Sequence, residues 1–142
     1  MLKNIPNILS PELLKILMEM GHGDELIIAD GNFPAATMAK RLVRLDGHGV
    51  PEVLEAVLKL FPLDTYDNKP VGLMEVVPGD KLEPTIWNDY KKTIKESGEP
   101  FDSFEFIERI KFYERAKKAF AVVATSEAAL YANIILKKGV VI

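Results

Sequence analysis

An α/β fold is what this sequence predicts: one domain over residues 1–142, a sandwich with a mostly parallel sheet flanked by helices. Three observations lead there. Leu26–Ala29 is a short, continuously apolar run, and Phe120–Ala124 and Asn133–Leu136 are similar, as in strands covered on both faces. Longer amphipathic stretches lie between such runs, and strands alternating with helices at this spacing build layers around a largely parallel sheet. With 142 residues, 48% of them hydrophobic and 27% charged, the chain is long and apolar enough for one real core.

Ser10-Pro11-Glu12 opens the first helix: serine as N-cap, proline at the first helical position, and a carboxylate near the positive end. Leu13, Ile16, Leu17 and Met20 form its apolar stripe, and Gly21 is placed to close it. The strand of Leu26–Ala29 breaks at the turn Asn32-Phe33-Pro34. Leu42–Leu45 reads as a second strand ended by Asp46-Gly47, and Pro51 begins a helix with Leu54, Val57, Leu58 and Phe61 on one face. Gly72–Val77 reads as a third strand, terminated by Pro78-Gly79-Asp80. Pro84 opens a helix through Glu96 that uses Trp87, Tyr90 and Ile94, in the core or at a subunit contact, and Ser97-Gly98 stops it. Phe104–Ile107 alternates weakly, and Phe112–Lys118 is a short amphipathic helix by pattern. Phe120–Ala124 and Asn133–Leu136 complete the strands.

Several chemistries are excluded by what the chain lacks. There is no cysteine, hence no disulfide, thiolate metal site or thiol nucleophile. Neither a phosphate loop, nor Gly-x-Gly-x-x-Gly after a strand, nor a Gly-x-Ser-x-Gly elbow occurs. With two histidines, a transition-metal site would need carboxylates for most of its ligands. Acid–base chemistry without a cofactor is what remains. The net charge of −3, with no basic block beyond Lys137-Lys138, argues against nucleic acid as a partner. No run approaches the roughly 18 apolar residues of a membrane span. Glu12, Lys15 and Glu19 interrupt the first twenty residues where a secretory core would be uncharged, so the expected location is cytoplasmic.

His22 is the candidate proton shuttle, because histidine alone has an unperturbed pKa near neutrality. Its plain alternative is a cation capping the preceding helix. His48 shares that alternative and has no acid at a strand end after it. Asp30 ends an apolar strand, where ligands of open α/β sheets sit; it could equally stabilise the Gly31-Asn32 bend. Arg109 and Tyr113 belong to a charged cluster that could be a solvated helix face. Tyr131-Ala132-Asn133 offers a hydroxyl, an amide and a flat apolar surface suited to a sugar ring, or simply an ordinary strand entry. Residues 25–29 in extended form span about 17 Å. His22 and Asp30 therefore share one site only if the loop folds back, the strand is short, or two subunits meet.

Taken together, Gly21-His22-Gly23-Asp24-Glu25, Asp30, Phe33-Pro34-Ala35, Phe112-Tyr113-Glu114-Arg115-Ala116 and Tyr131-Ala132-Asn133-Ile134-Ile135-Leu136 with Gly139-Val140 closely resemble the fucose mutarotase and ribose pyranase family, essentially end to end. Phe33-Pro34 and the Phe-Tyr-Glu-Arg-Ala block resemble the fucose branch. Ala132 stands where that branch usually has glycine and the ribose branch alanine, and Gly31 where many relatives have alanine. The resemblance implies His22 as the catalytic acid/base. It implies that Asp30, Arg109, Tyr131 and Asn133 bind sugar hydroxyls, with the Ala132 backbone on the same wall and Tyr113 lining the pocket. It also implies a monosaccharide substrate, L-fucose or a related sugar, no cofactor or metal, and a ring-shaped homo-oligomer, often a decamer, with pockets near subunit contacts. A ribose pyranase or a non-catalytic sugar-binding module are the rival readings.

Overall fold

Alternate residues of the run Leu26–Ala29 point to opposite faces of a sheet, and both faces are covered. Leu26 and Ile28 join one cluster of buried residues, Ile27 and Ala29 a second, and none of the four is exposed. This is why the run carries no polar alternation. The computed structural model describes residues 1–142. Strands β1 (Glu25–Ala29), β2 (Leu42–Leu45), β3 (Val71–Met74), β4 (Glu105–Ile107), β5 (Ala121–Thr125) and β6 (Ile134–Lys137) form one sheet in the order β2-β5-β1-β6-β3-β4. β6 alone runs against its neighbours β1 and β3; the other pairings are parallel. The expected α/β sandwich with a mostly parallel sheet is the fold observed.

Helices α1 (Pro11–Glu19), α3 (Val50–Leu58) and α4 (Ile86–Ser97) cover one face, where Leu13, Leu54, Val57, Tyr90 and Ile94 meet Leu26, Ile28, Val123 and Ile134. Helices α2 (Ala35–Met38) and α5 (Arg109–Lys118) cover the other, where Phe33, Phe112 and Ala116 meet Ile27, Val122 and Ile135. No helix is long and apolar enough to cross a membrane.

The caps explain most boundaries. The Ser10 hydroxyl accepts from the Leu13 amide at 3.1 Å, and Gly98 ends α4 at φ +80°. α5 starts three residues earlier than its apolar pattern suggests, because the Glu108 carboxylate accepts from the Ile110 and Lys111 amides. Arg109 is thus the first residue of α5, with Tyr113 one turn along on the same face. Gly21 does not close α1 in a left-handed conformation: Met20 is already extended at φ −65° and ψ 135°, and the positive φ falls at Gly23. The weak alternation at 104–107 is a real edge strand, β4, and α2 had no sequence pattern of its own. β3 ends at Met74 rather than Val77, since the chain leaves the sheet there and the Val77 amide faces the Tyr131 hydroxyl at 3.4 Å. His48 is accounted for at the start of α3, where its Nδ1 lies 3.2 Å from Glu52.

Candidate active site

The reversed direction of β6 builds the site. Its entry residues, Tyr131 to Asn133, lie beside the exits of β1 and β3, where Asp30 and Met74 stand. The Asp30 amide donates to the Asn133 side-chain oxygen at 2.8 Å, locking the two strand ends together. Asp30, Phe33, Tyr113, Tyr131, Asn133 and Asp80 line a cavity of about 220 Å³. Phe33 and Tyr113 pack with ring centroids 5.7 Å apart and form its aromatic wall.

Asp30 is only 7% exposed. Burial raises its carboxyl above the ordinary value, against the amides of Asn32, Phe33 and Ala132 and the Asn133 side chain, which favour the ionised form. It does make the turn that is the plainer reading, accepting from the Asn32 amide at 2.9 Å, yet it also faces the cavity. A carboxyl raised in the folded state costs stability when ionised. That cost is absent below the unfolded-state value, near the ordinary 3.8, and complete above the folded-state value. Asp30→Asn is therefore expected to raise the melting temperature at pH 7 and leave it unchanged near pH 3. Scanning calorimetry at both pH values checks this.

Tyr131 has φ +57°, a conformation rare for a bulky side chain. α4 holds it there: the Trp87 indole donates to the Tyr131 carbonyl at 2.8 Å and the buried Tyr90 hydroxyl to the Ala132 carbonyl at 2.6 Å. Tyr90 thus belongs to the chain's own interior, while the partly buried Trp87 packs against that core, and both buttress the cavity wall. Ala132 is wholly buried and acts through its backbone, the amide toward Asp30 and the carbonyl toward Tyr90. The Tyr131 hydroxyl donates to Asp80 at 2.8 Å, a bond that raises its own pKa and keeps it protonated. Arg109 is exposed and does not line the cavity, but its guanidinium lies 5.7 Å from the Tyr113 ring centroid. Arg115, six residues further along α5, faces elsewhere and bridges Glu25 and Glu105.

His22 is not in this cavity. It precedes β1, at the opposite end of that strand from Asp30, and is half-exposed. Its Nε2 lies 2.9 Å from Asp64 Oδ1, and its ring 5.3 Å from that of Tyr66. Asp64 and Tyr66 also line a wider, open polar cleft of about 770 Å³, which contains none of the cavity residues above. One chain therefore gathers Asp30, Tyr113, Tyr131 and Asn133 and keeps His22 apart. Sequence reasoning missed Asp80, seen only as part of a turn, and Asp64, which no local spacing connects to His22.

Such a sheet, with a small cavity of mixed polar and aromatic lining at the β1–β6 junction, belongs to a defined class. The family model described as the RbsD / FucU transport protein family matches residues 3–141. This chain belongs to that family. The human protein named fucose mutarotase is 53% identical over 145 residues, spanning 98% of this chain and 94% of the human one. The L-fucose mutarotase of Actinobacillus pleuropneumoniae is 49% identical over 140 residues, spanning 99% and 97%. The crystal structure of the Streptococcus pneumoniae fucose mutarotase in complex with L-fucose has a TM-score of 0.94 at 52% identity, covering 99% of this chain and all of that one.

Proposed function

We propose that residues 1–142 act as one L-fucose mutarotase unit, an isomerase that interconverts the α and β anomers of the sugar. The observation carrying this reading is the convergence of Asp30, Tyr113, Tyr131 and Asn133, from three distant segments, on one small cavity with polar groups and an aromatic wall. It occurs in a chain similar over nearly its whole length to a fucose mutarotase solved with L-fucose. A neutral sugar ring offers hydroxyls on its edge and apolar faces. The Asp30 carboxylate and Asn133 amide suit the former, the Phe33–Tyr113 wall the latter, and Arg109 beside Tyr113 is a further donor.

Mutarotation needs only protons to move. The ring oxygen gains a proton from His22, a base takes the proton of the anomeric hydroxyl, and the C1–O5 bond breaks to leave an open-chain aldehyde. Rotation about C1–C2 presents the other carbonyl face. Reclosure then reverses both transfers, returning the ring-oxygen proton to His22. Because His22 stands apart from the cavity in its own chain, the reading includes a homo-oligomer, a ring-shaped decamer by family resemblance, in which a second copy supplies the histidine. Free sugar inside the cell is the matching substrate pool, so a cytoplasmic place goes with the reading.

Saturation-transfer NMR on equilibrated L-fucose tests it: magnetisation is expected to pass between the two anomeric protons faster with protein than without. The cavity of one chain holds no histidine, which favours a second reading, a monosaccharide-binding module without catalysis. Binding with no gain in exchange would support that reading instead. Faster exchange on D-ribose than on L-fucose would support a pyranase.

A further inference from the structure

We propose that Asp80 is a positioning residue that fixes the hydrogen-bond polarity of the sugar cavity. It takes the proton of the Tyr131 hydroxyl, so that oxygen faces a ligand as an acceptor alone. The site thereby selects a sugar with a hydroxyl donor opposite Tyr131 and rejects one carrying an acceptor there. This rests on the reading of the cavity as a monosaccharide site. The contact that carries it joins residues 51 positions apart: Tyr131 Oη donates to Asp80 Oδ2 at 2.8 Å, and both residues line the cavity.

A phenol hydroxyl has a single proton to give. That of Tyr131 is committed to Asp80, and the Val77 amide faces the same oxygen at 3.4 Å. What is left for a ligand is acceptor capacity. Tyr131 is held at both ends, because its backbone at φ +57° is fixed through the carbonyl by the Trp87 indole at 2.8 Å. Asp80 is fixed too. Val77-Pro78-Gly79-Asp80 closes a turn in which the Asp80 amide donates to the Val77 carbonyl at 3.1 Å. Proline at its second position and Gly79 at φ +90° at its third make it type II, a form that favours glycine there. The carboxylate then folds over the turn's exit. Its Oδ1 accepts from the Leu82 amide at 3.0 Å, which leaves Oδ2 to face Tyr131.

The charges agree with this geometry. The Leu82 amide first, and the Tyr131 hydroxyl after it, hold the Asp80 carboxyl below its ordinary value, so it is an anionic acceptor at neutral pH. The same bond raises the Tyr131 phenol, against the Val77 amide and the charge of Arg109, and the proton stays on the phenol oxygen. The other polar groups of the cavity are engaged elsewhere: Asp30 accepts from the Asn32 amide, and Asn133 Oδ1 from the Asp30 amide. Asp80→Asn reverses the arrangement. The amide oxygen keeps the Leu82 N–H, so the amide nitrogen takes the place of Oδ2 and donates to Tyr131. The Tyr131 proton is then released toward the cavity, and the acceptor becomes a donor.

The test titrates L-fucose, and analogues in which one non-anomeric hydroxyl at a time is replaced by hydrogen or by fluorine, into the full-length chain. Asp80→Asn, Tyr131→Phe and the double variant are titrated alongside. Fluorine can accept a hydrogen bond but cannot donate one. At one ring position the native chain is expected to bind the fluoro analogue on the order of tenfold more weakly than L-fucose, and more weakly than the deoxy analogue. Asp80→Asn is expected to invert the order of fluoro and deoxy analogues at that position, and the inversion is expected to vanish in the Tyr131→Phe background. Carbon-13 NMR of the four tyrosines gives a readout without sugar, with Tyr66 as control. The Tyr131 phenol is expected to titrate at lower pH in Asp80→Asn than in the native chain. An unchanged order of analogues in an Asp80→Asn chain that still binds L-fucose overturns the polarity role and leaves the monosaccharide reading standing. An unshifted Tyr131 titration overturns it equally, whatever the sugars do. A native chain that binds none of the sugars removes the monosaccharide reading, and this inference falls with it.

Discussion

A His22→Gln chain is expected to keep its fold and lose anomer exchange by about 10²- to 10⁴-fold, the usual contribution of a positioned general acid/base. That is roughly 3–5.5 kcal/mol of barrier, and opening a hemiacetal ring demands no more, because it proceeds unaided in water. Glutamine is the informative replacement. Its amide can still donate to the Asp64 carboxylate, which would otherwise be left buried without its side-chain partner, but it cannot titrate near neutrality. The His22 side chain is 43% exposed and belongs to neither core cluster. Stability is therefore expected to change by only about 0.5 kcal/mol. Sugar affinity is expected to persist, since Asp30, Tyr131 and Asn133 are untouched. Thermal melts, titration calorimetry and saturation transfer on the same sample separate these effects. Undiminished exchange would remove His22 from the chemistry.

The strands were legible where burial is strongest. β1, β5 and β6 are covered on both faces, and such runs have no competing pattern. β4 has three residues at the sheet edge, with Phe106 half exposed, too few and too mixed to hold a period. α5 was misjudged at its start because the Glu108 cap is a matter of carboxylate geometry, while apolar spacing begins only at Phe112. Asp30 and the Tyr131–Asn133 segment stood out as polar groups at strand ends. That they meet depends on β6 running backwards between β1 and β3, a long-range fact with no local signature. Asp64 and Asp80 were invisible for the same reason: each matters through one hydrogen bond to a residue more than forty positions away. The strained Tyr131 backbone could not be anticipated either, since its supports come from α4. Sequence pattern reports the local period; the tertiary fold decides which polar ends converge.

Two impaired variants, His22→Gln, which lacks the proton shuttle, and Asp30→Asn, in which sugar binding and turnover are both expected to weaken, are expected to recover exchange when co-assembled. The reason lies in how the two ends of β1 are tied. His22's loop is bonded to Lys138 at the exit of β6, and Asp30 to Asn133 at its entry. Moving His22 to the cavity of its own chain would mean stripping β1 from β6, through four paired positions in the centre of the sheet. Loop motion without that rupture cannot cross about 17 Å of strand. A second copy can present the histidine with no such cost, because closed homo-oligomers juxtapose different faces of one chain. In randomly mixed assemblies, half of the cavities keep Asp30 and half of the neighbours keep His22, so about a quarter of the sites have both. Refolding the pair together under limiting sugar should therefore return about a quarter of native exchange, above that of either variant refolded alone. A site contained within one chain has no route to that recovery, since every chain in the mixture carries one lesion. Absence of recovery in assemblies verified as mixed by mass spectrometry would mean that catalysis, if present, is completed some other way than by a neighbour's His22.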